Sequence, residues 1–130
     1  MSSVLGQERK SLPKATVSPT IVDLAWAAGF LEGEGSFTKS GRDSETVNAA
    51  QIEEGAEPLY KLQQLFGGSV RIKDRCTNRF GRKTQLRWTV CGGRARGVML
   101  TLFSFLSPRR KQQIINALHA KSRREQNGLH

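Results

Sequence analysis

Ala25, Gly29 and Gly33 recur at every fourth position of one short segment, and that spacing constrains the chain more than any other feature in it. Thr20 followed by Asp23 forms a capping box, and the apolar run Leu24, Ala25, Trp26, Ala27, Ala28, Phe30, Leu31 extends it into a helix ending near Gly33 to Gly35. Each interior glycine costs a helix roughly 1 kcal/mol relative to alanine, so two in line need a compensating role. A face bare of side chains lets a second backbone come unusually close, as small residues at this spacing do between membrane helices. Val22, Trp26 and Phe30 lie on another face and are expected to fill the chain's own core. Ala25, Ala28, Gly29, Glu32 and Gly33 are then expected to form an interface with a second copy of the same helix, related by a two-fold axis.

The same helix ends in two carboxylates, Glu32 and Glu34, where the macrodipole is negative and acids are disfavoured. A cation held there would reverse the sign of that penalty. With oxygen ligands and no clustered His or Cys, the expected ion is Mg2+, with Ca2+ or Mn2+ substituting in binding, rather than zinc. Two such helix ends brought together would set carboxylates side by side with divalent ions, the arrangement used for in-line hydrolysis of phosphodiesters.

Charge points to the same partner. Twenty-one Lys and Arg against 11 Asp and Glu give a formal net charge of +10, which repels copies of the chain and attracts polyanions, nucleic acid first. No apolar run approaches the roughly 18 residues of a membrane span, and the first residues are polar, so an intracellular protein of cytoplasm or organelle is expected rather than a secreted one. Cys76 and Cys91 form no zinc-like cluster and are expected to be reduced.

Residues 1–18, rich in Ser, Lys and Pro, read as a flexible basic arm, residues 19–125 as a single domain and 126–130 as a tail. Residues 36–42 and 46–53 read as strands around the Ser40-Gly41-Arg42-Asp43 turn, and 57–66 as a helix opened by Glu57-Pro58 and closed by Gly67-Gly68. From Val70 the period is two. Val70 and Ile72, then Leu86, Trp88 and Val90, alternate with polar residues as half-buried strands do. Residues 94–106 form an amphipathic helix burying Val98, Leu100, Leu102, Phe103 and Leu106, and Pro108 opens a last helix with Ile114, Ile115 and Leu118 inward. The order αββαββαα predicts an α+β domain with an antiparallel sheet.

Parity sets Arg71, Lys73, Arg75, Gln85, Arg87 and Thr89 opposite the apolar face, and Ser36, Thr38, Ser40 and Arg42 on one face of the first strand. Such a ribbon fits the major groove, where Arg and Gln read base edges and other cations meet phosphates. Arg79, Arg82 and Lys83, in the loop between the last two strands, are expected to touch phosphates.

The stretch Trp26-Ala27-Ala28-Gly29-Phe30-Leu31-Glu32-Gly33-Glu34-Gly35 resembles the LAGLIDADG motif, Ala27 to Gly35 matching it position by position with Glu in place of both Asp. The resemblance continues through the strand pairs, the Leu65-Phe66-Gly67-Gly68 turn and the Phe105-Leu106-Ser107-Pro108-Arg109-Arg110-Lys111 segment. It implies a LAGLIDADG homing endonuclease fold whose sheet is a saddle for double-stranded DNA. For a chain with one motif it implies a homodimer that hydrolyses one phosphodiester per strand of a long, partly palindromic site. The last acid of the motif would be the metal ligand, here Glu34, with Gly33 beside it. A polar residue near the end of the second strand and a cation at the start of the last helix would lie beside the scissile phosphates, here Gln51 and either Arg109 or Lys111. The alternative in the same fold is a DNA- or RNA-binding protein that has lost cleavage, a transcription regulator or intron maturase. Leu31 to Phe37 also resembles a kinase glycine-rich loop, but no lysine strand, catalytic loop or Asp-Phe-Gly follows. A basic structural protein would explain the charge but not the bare face with its terminal acids.

Overall fold

A computed structural model describes residues 18–39, 44–74 and 83–119. In chain order these form helix α1 (Ile21–Glu34), strands β1 (Gly35–Lys39) and β2 (Glu45–Ile52), helix α2 (Glu57–Phe66), strands β3 (Ser69–Asp74) and β4 (Gln85–Cys91), and helices α3 (Gly92–Leu102) and α4 (Pro108–His119). The αββαββαα order expected from the sequence is the order observed. The strands make one four-stranded antiparallel sheet in the order β1-β2-β4-β3. All but Ser18 of the arm expected at 1–18, the turn at 40–43, the loop residues 75–82 and the tail at 126–130 lie outside the described residues, and with them Ser40, Arg42, Arg75, Cys76, Arg79 and Arg82.

Two compact units divide the chain, one built on Ala50–Trp88, the other on Pro19–Ala49 and the residues from Thr89 onward. In the first, Leu59, Leu62 and Leu65 come round to one face of α2 and are buried there. The helix stops because Gly67 (φ 78°) and Gly68 (φ 93°) take left-handed conformations that a side chain would strain. Trp88 is fully buried, and its indole N–H donates to the Gly67 carbonyl at 2.9 Å, so the buried polar atom of the largest core side chain is satisfied. Leu86 and Trp88 alternate with the exposed Arg87 as expected. β3 does not follow its expected alternation: Val70 is only half-buried and Ile72 is 47% exposed. Lying at the edge of the sheet, β3 lacks a neighbour on one side, and its last four residues are all exposed.

In the second unit the Thr20/Asp23 capping box is present with both hydrogen bonds made. The inward face of α1 carries Ala27, Ala28 and Leu31, and Val22, expected in the core, is 73% exposed. Trp26 and Phe30, also expected there, are half-buried and stacked on each other, centroids 5.7 Å apart and planes at 8°. Small residues face inward because α1 packs on α3 and β1, leaving the large rings to flank the contact. Helical phase also corrects two core residues. α3 buries Ala95, Val98, Met99 and Leu102, which turns Leu100 outward at 60% exposure, and α4 buries Arg110, Ile114 and Ala117, which leaves Ile115 39% exposed. The expected helix 94–106 is α3 followed by a 3-10 turn at Phe103–Phe105.

Between α1 and β1 no loop intervenes. A Cβ on Gly35 would lie 2.7 Å from the Leu31 carbonyl oxygen and 2.8 Å from its side chain, so glycine is required by space although its φ of −88° is ordinary. β1 pairs with β2 in the register Ser36 with Asn48, Phe37 with Val47 and Thr38 with Thr46. Phe37, Val47 and Ala49 face the core.

Candidate nucleic-acid interface and acidic helix end

The second half of the outer face of α1 carries only small residues, as their spacing required. Ala25, Gly29 and Gly33 are exposed, and a Cβ added at either glycine would meet nothing within 4 Å. Val22 falls in the same stripe, one helical step before Ala25. Ala28, expected on this face, is 2% exposed and belongs to the chain's own packing, a turn of about 100° from Gly29.

Glu34 closes α1 with an exposed carboxylate that has no hydrogen bond or ion pair among the described residues. No group of three His, Cys, Asp or Glu that could hold a metal ion gathers among them. A lone carboxylate with peptide oxygens nearby still suits a hard cation such as Mg2+, which keeps several waters and takes one or two carboxylates from protein. The oxygen donor chemistry suits such a hard ion rather than zinc.

Glu32 behaves differently from the sequence expectation of an interface residue. Its carboxylate accepts from the Ser107 N–H at 2.8 Å and from the Ser107 hydroxyl at 2.6 Å. Ser107 in turn precedes Pro108 and caps α4, its Oγ accepting from the Arg110 N–H at 3.3 Å. Arg110, 7% exposed, donates from Nε to the Glu32 carbonyl at 2.9 Å and from Nη1 to Gln113 at 2.8 Å. The Ser107 hydroxyl, then its N–H, hold the Glu32 carboxyl below the usual carboxylate range; burial opposes them and the charges of Arg110 and Arg109 assist. Burial, and next the charge of Arg109, press the Arg110 guanidinium down while Glu32 supports it, and an arginine stays charged under such pressure. The dipole penalty at the end of α1 is thus relieved for Glu32 by the positive end of α4. Hydrogen bonds to charged groups contribute about 1.5–3 kcal/mol each, and partial exposure sets these near the lower figure.

Arg109 is exposed and makes no hydrogen bond or ion pair among the described residues, whereas the Lys111 ammonium sits 5.6 Å from the centre of the Phe103 ring. Of the two cations the sequence nominated at the start of α4, Arg109 is the one without a close partner among the described residues. Gln51, near the end of β2 in the other unit, is half-buried.

The first unit exposes Arg71, Lys73, Lys83 and Arg87, with Gln85 half-buried. In the second, Thr38 is exposed and Ser36 and Thr89 half-buried. Thr46 and Asn48, which the sequence reading did not single out, stand opposite Thr38 and Ser36 on the same face of the β1–β2 pair. The inward alternation of Val47 and Ala49 sets them there.

This arrangement is the LAGLIDADG homing endonuclease fold, as the motif implied. Similar structures include the homing endonuclease I-CvuI in complex with the I-CreI target in the presence of Mg, its DNA not cleaved (TM-score 0.55, 19% identity, 75% of this chain and 64% of that one). The group I intron-encoded homing endonuclease I-CeuI, complexed with DNA, matches 90% of this chain and 62% of its own at TM-score 0.50 and 22% identity. The homing endonuclease I-TnaI matches with a TM-score of 0.50 and 16% identity over 78% of this chain and 74% of that one. The chain thus spans less than two thirds of the length of the I-CvuI and I-CeuI chains in these matches. No family model and no curated protein matches its sequence.

Proposed function

We propose that the chain is a metal-dependent, site-specific DNA endonuclease that works as a homodimer and cuts one phosphodiester in each strand of a long, partly palindromic site. The observation that carries this reading is a solvent-open stripe of small residues, Ala25, Gly29 and Gly33, on α1 running directly to an exposed Glu34 that has no hydrogen bond or ion pair among the described residues. Two copies joined along that stripe would bring two carboxylates to one place and match the two-fold symmetry of a duplex. The fold is one that I-CvuI and I-CeuI use in complexes with DNA.

In this reading Glu34 and the Gly33 carbonyl hold a divalent cation, Mg2+ by donor chemistry. Such an ion, when bound, neutralises phosphate charge and lowers the pKa of a water. The chain's own groups supply the rest. Arg109, permanently charged, offsets negative charge on the scissile phosphate, with Lys111 behind it, and Gln51 orients a water by hydrogen bonding. Arg71, Lys73, Lys83 and Arg87 neutralise phosphates or read bases, and Ser36, Thr38, Gln85 and Thr89 offer hydrogen bonds to base edges.

The test selects bound and cut sites from a random DNA pool with Mg2+, then repeats the reaction with Glu34→Gln. Cleavage is expected to fall by roughly 10²–10³-fold while the gel shift of the site persists. A variant that cuts like the parent removes Glu34 from the chemistry and overturns the proposal. Sedimentation of the parent is expected to give twice the 14.4 kDa chain mass.

A further inference from the structure

The two acids of the motif are chemically unequal, and the one that faces inward has a definable task. Glu32 stands two residues before Glu34, and Ser107 stands two residues before Arg109. Three hydrogen bonds join these elements across 75 to 78 positions of sequence: Ser107 N–H and Oγ–H to the Glu32 carboxylate, and Arg110 Nε–H to the Glu32 carbonyl. All three donate from the start of α4 to Glu32, yet a side chain from each element reaches the other's backbone, the Glu32 carboxylate the Ser107 N–H and the Arg110 guanidinium the Glu32 carbonyl. A single hydrogen bond would let the helix ends swivel, and this bidentate, reciprocated set does not.

Its surroundings match that task. Arg110 is 7% exposed in a helix that is otherwise basic at its start, and Gln113 fixes its outer nitrogen at 2.8 Å. The Ser107 hydroxyl does double duty, donating to Glu32 and accepting from the Arg110 N–H, so the cap of α4 and the tie to α1 are one unit. The groups left over, Glu34 and Arg109, are both exposed and both without a hydrogen bond or ion pair among the described residues.

We infer that Glu32, with Ser107 and Arg110, is a positioning residue: it locks the end of α1 to the start of α4 and so fixes the spacing between Glu34 and Arg109 that the reaction needs. This rests on the proposed nuclease function for its consequence, and on the geometry alone for the lock. Loss of groups that orient a ligand commonly costs 10–100-fold in activity, and a displacement near 1 Å about a hundredfold.

The experiment compares Glu32→Ala, Ser107→Ala, Ser107→Thr and the Glu32→Ala/Ser107→Ala double variant. Single-turnover cleavage with Mg2+, binding of the selected site, and hydrogen exchange of the amides of Ser107 and Arg109 to Lys111 are read together. Expected are a loss of roughly 10–100-fold in cleavage for either alanine variant with site affinity unchanged, no further loss in the double variant, and rescue by Ser107→Thr, which keeps both donors. Exchange at these amides is expected to quicken in both alanine variants but not in the threonine variant. Multiplying losses in the double variant, or binding that falls as far as cleavage, would overturn the positioning role. Unchanged exchange would overturn the lock itself. Should Glu34→Gln cut like the parent, the nuclease reading fails, while the exchange data still decide whether Glu32 ties the two helices.

Discussion

Two helices of this chain run into glycines, and they end in opposite ways. α2 stops at Gly67 and Gly68, both left-handed, and the carbonyls there are taken up by Trp88 and by the Gln63 side chain, 2.9 and 3.1 Å away. α1 passes through Gly33 and Glu34 into Gly35 and straight on into β1, leaving a carboxylate in solvent. An end whose polar groups are all used internally is a structural joint. One that leaves an acid with no hydrogen bond or ion pair among the described residues, against its own helix dipole, is the end that the proposed reading turns toward a cation.

Trp88→Ala should break the α2 joint most severely, costing about 3–5 kcal/mol and freeing the Gly67 carbonyl in a buried site; denaturant melts would read the loss. A variant as stable as the parent would mean that the α2 end is held by something other than the indole. Gly35→Ala attacks the other end without a positive φ to blame. The added methyl must displace the Leu31 carbonyl, so a loss of about 1–3 kcal/mol is expected, with thermal unfolding as the check. Gly29→Ala sharpens the contrast from the opposite side: with nothing within 4 Å of the new Cβ, the dilute single chain should gain about 1 kcal/mol of helix stability. If the stripe is an interface, the same change should weaken self-association, and sedimentation across a concentration series shows whether the two effects part.

The smallest effect concerns Glu45, buried at 5% exposure and paired with the half-exposed Arg96 at 3.1 Å. Burial alone would raise its carboxyl, but its backbone N–H, the Arg96 hydrogen bond and charge, and the charge of Lys39 together hold it low. A depressed acid stabilises the fold above its unfolded pKa, about 4.3, and that contribution fades as pH falls through the lower folded value. Arg96→Met should therefore cost stability at neutral pH and flatten the loss on acidification, measured by urea titrations from about pH 6 downward.

Local rules made most of the fold legible. The Thr20/Asp23 box, the Glu57-Pro58 start, the Gly67-Gly68 stop and the alternation of Leu86, Trp88 and Val90 each depend on neighbours in sequence, and each is where the pattern set it. Helical phase was less legible, because Ala95 and Met99 rather than Leu100 decide which side of α3 turns inward. On α4 a buried arginine occupies the inward row, a residue type that an apolar pattern cannot count. In the candidate site the stripe of small residues and the exposed Glu34 were visible in the motif. The partner of Glu32 was not, since Ser107 lies 75 residues away and nothing in a serine before a proline announces which acid it will meet.

The loopless passage from α1 to β1 has one more effect. Only Gly35 separates Glu34 from Ser36, the first outward side chain of the strand. On the proposed reading the chain therefore carries a built-in ruler, in which the offset between the cut and the nearest base contact is set by a single intervening residue. Changing which bases Ser36 and Thr38 favour leaves that offset alone, whereas inserting even one residue there would move the blade along the duplex relative to everything the strand touches.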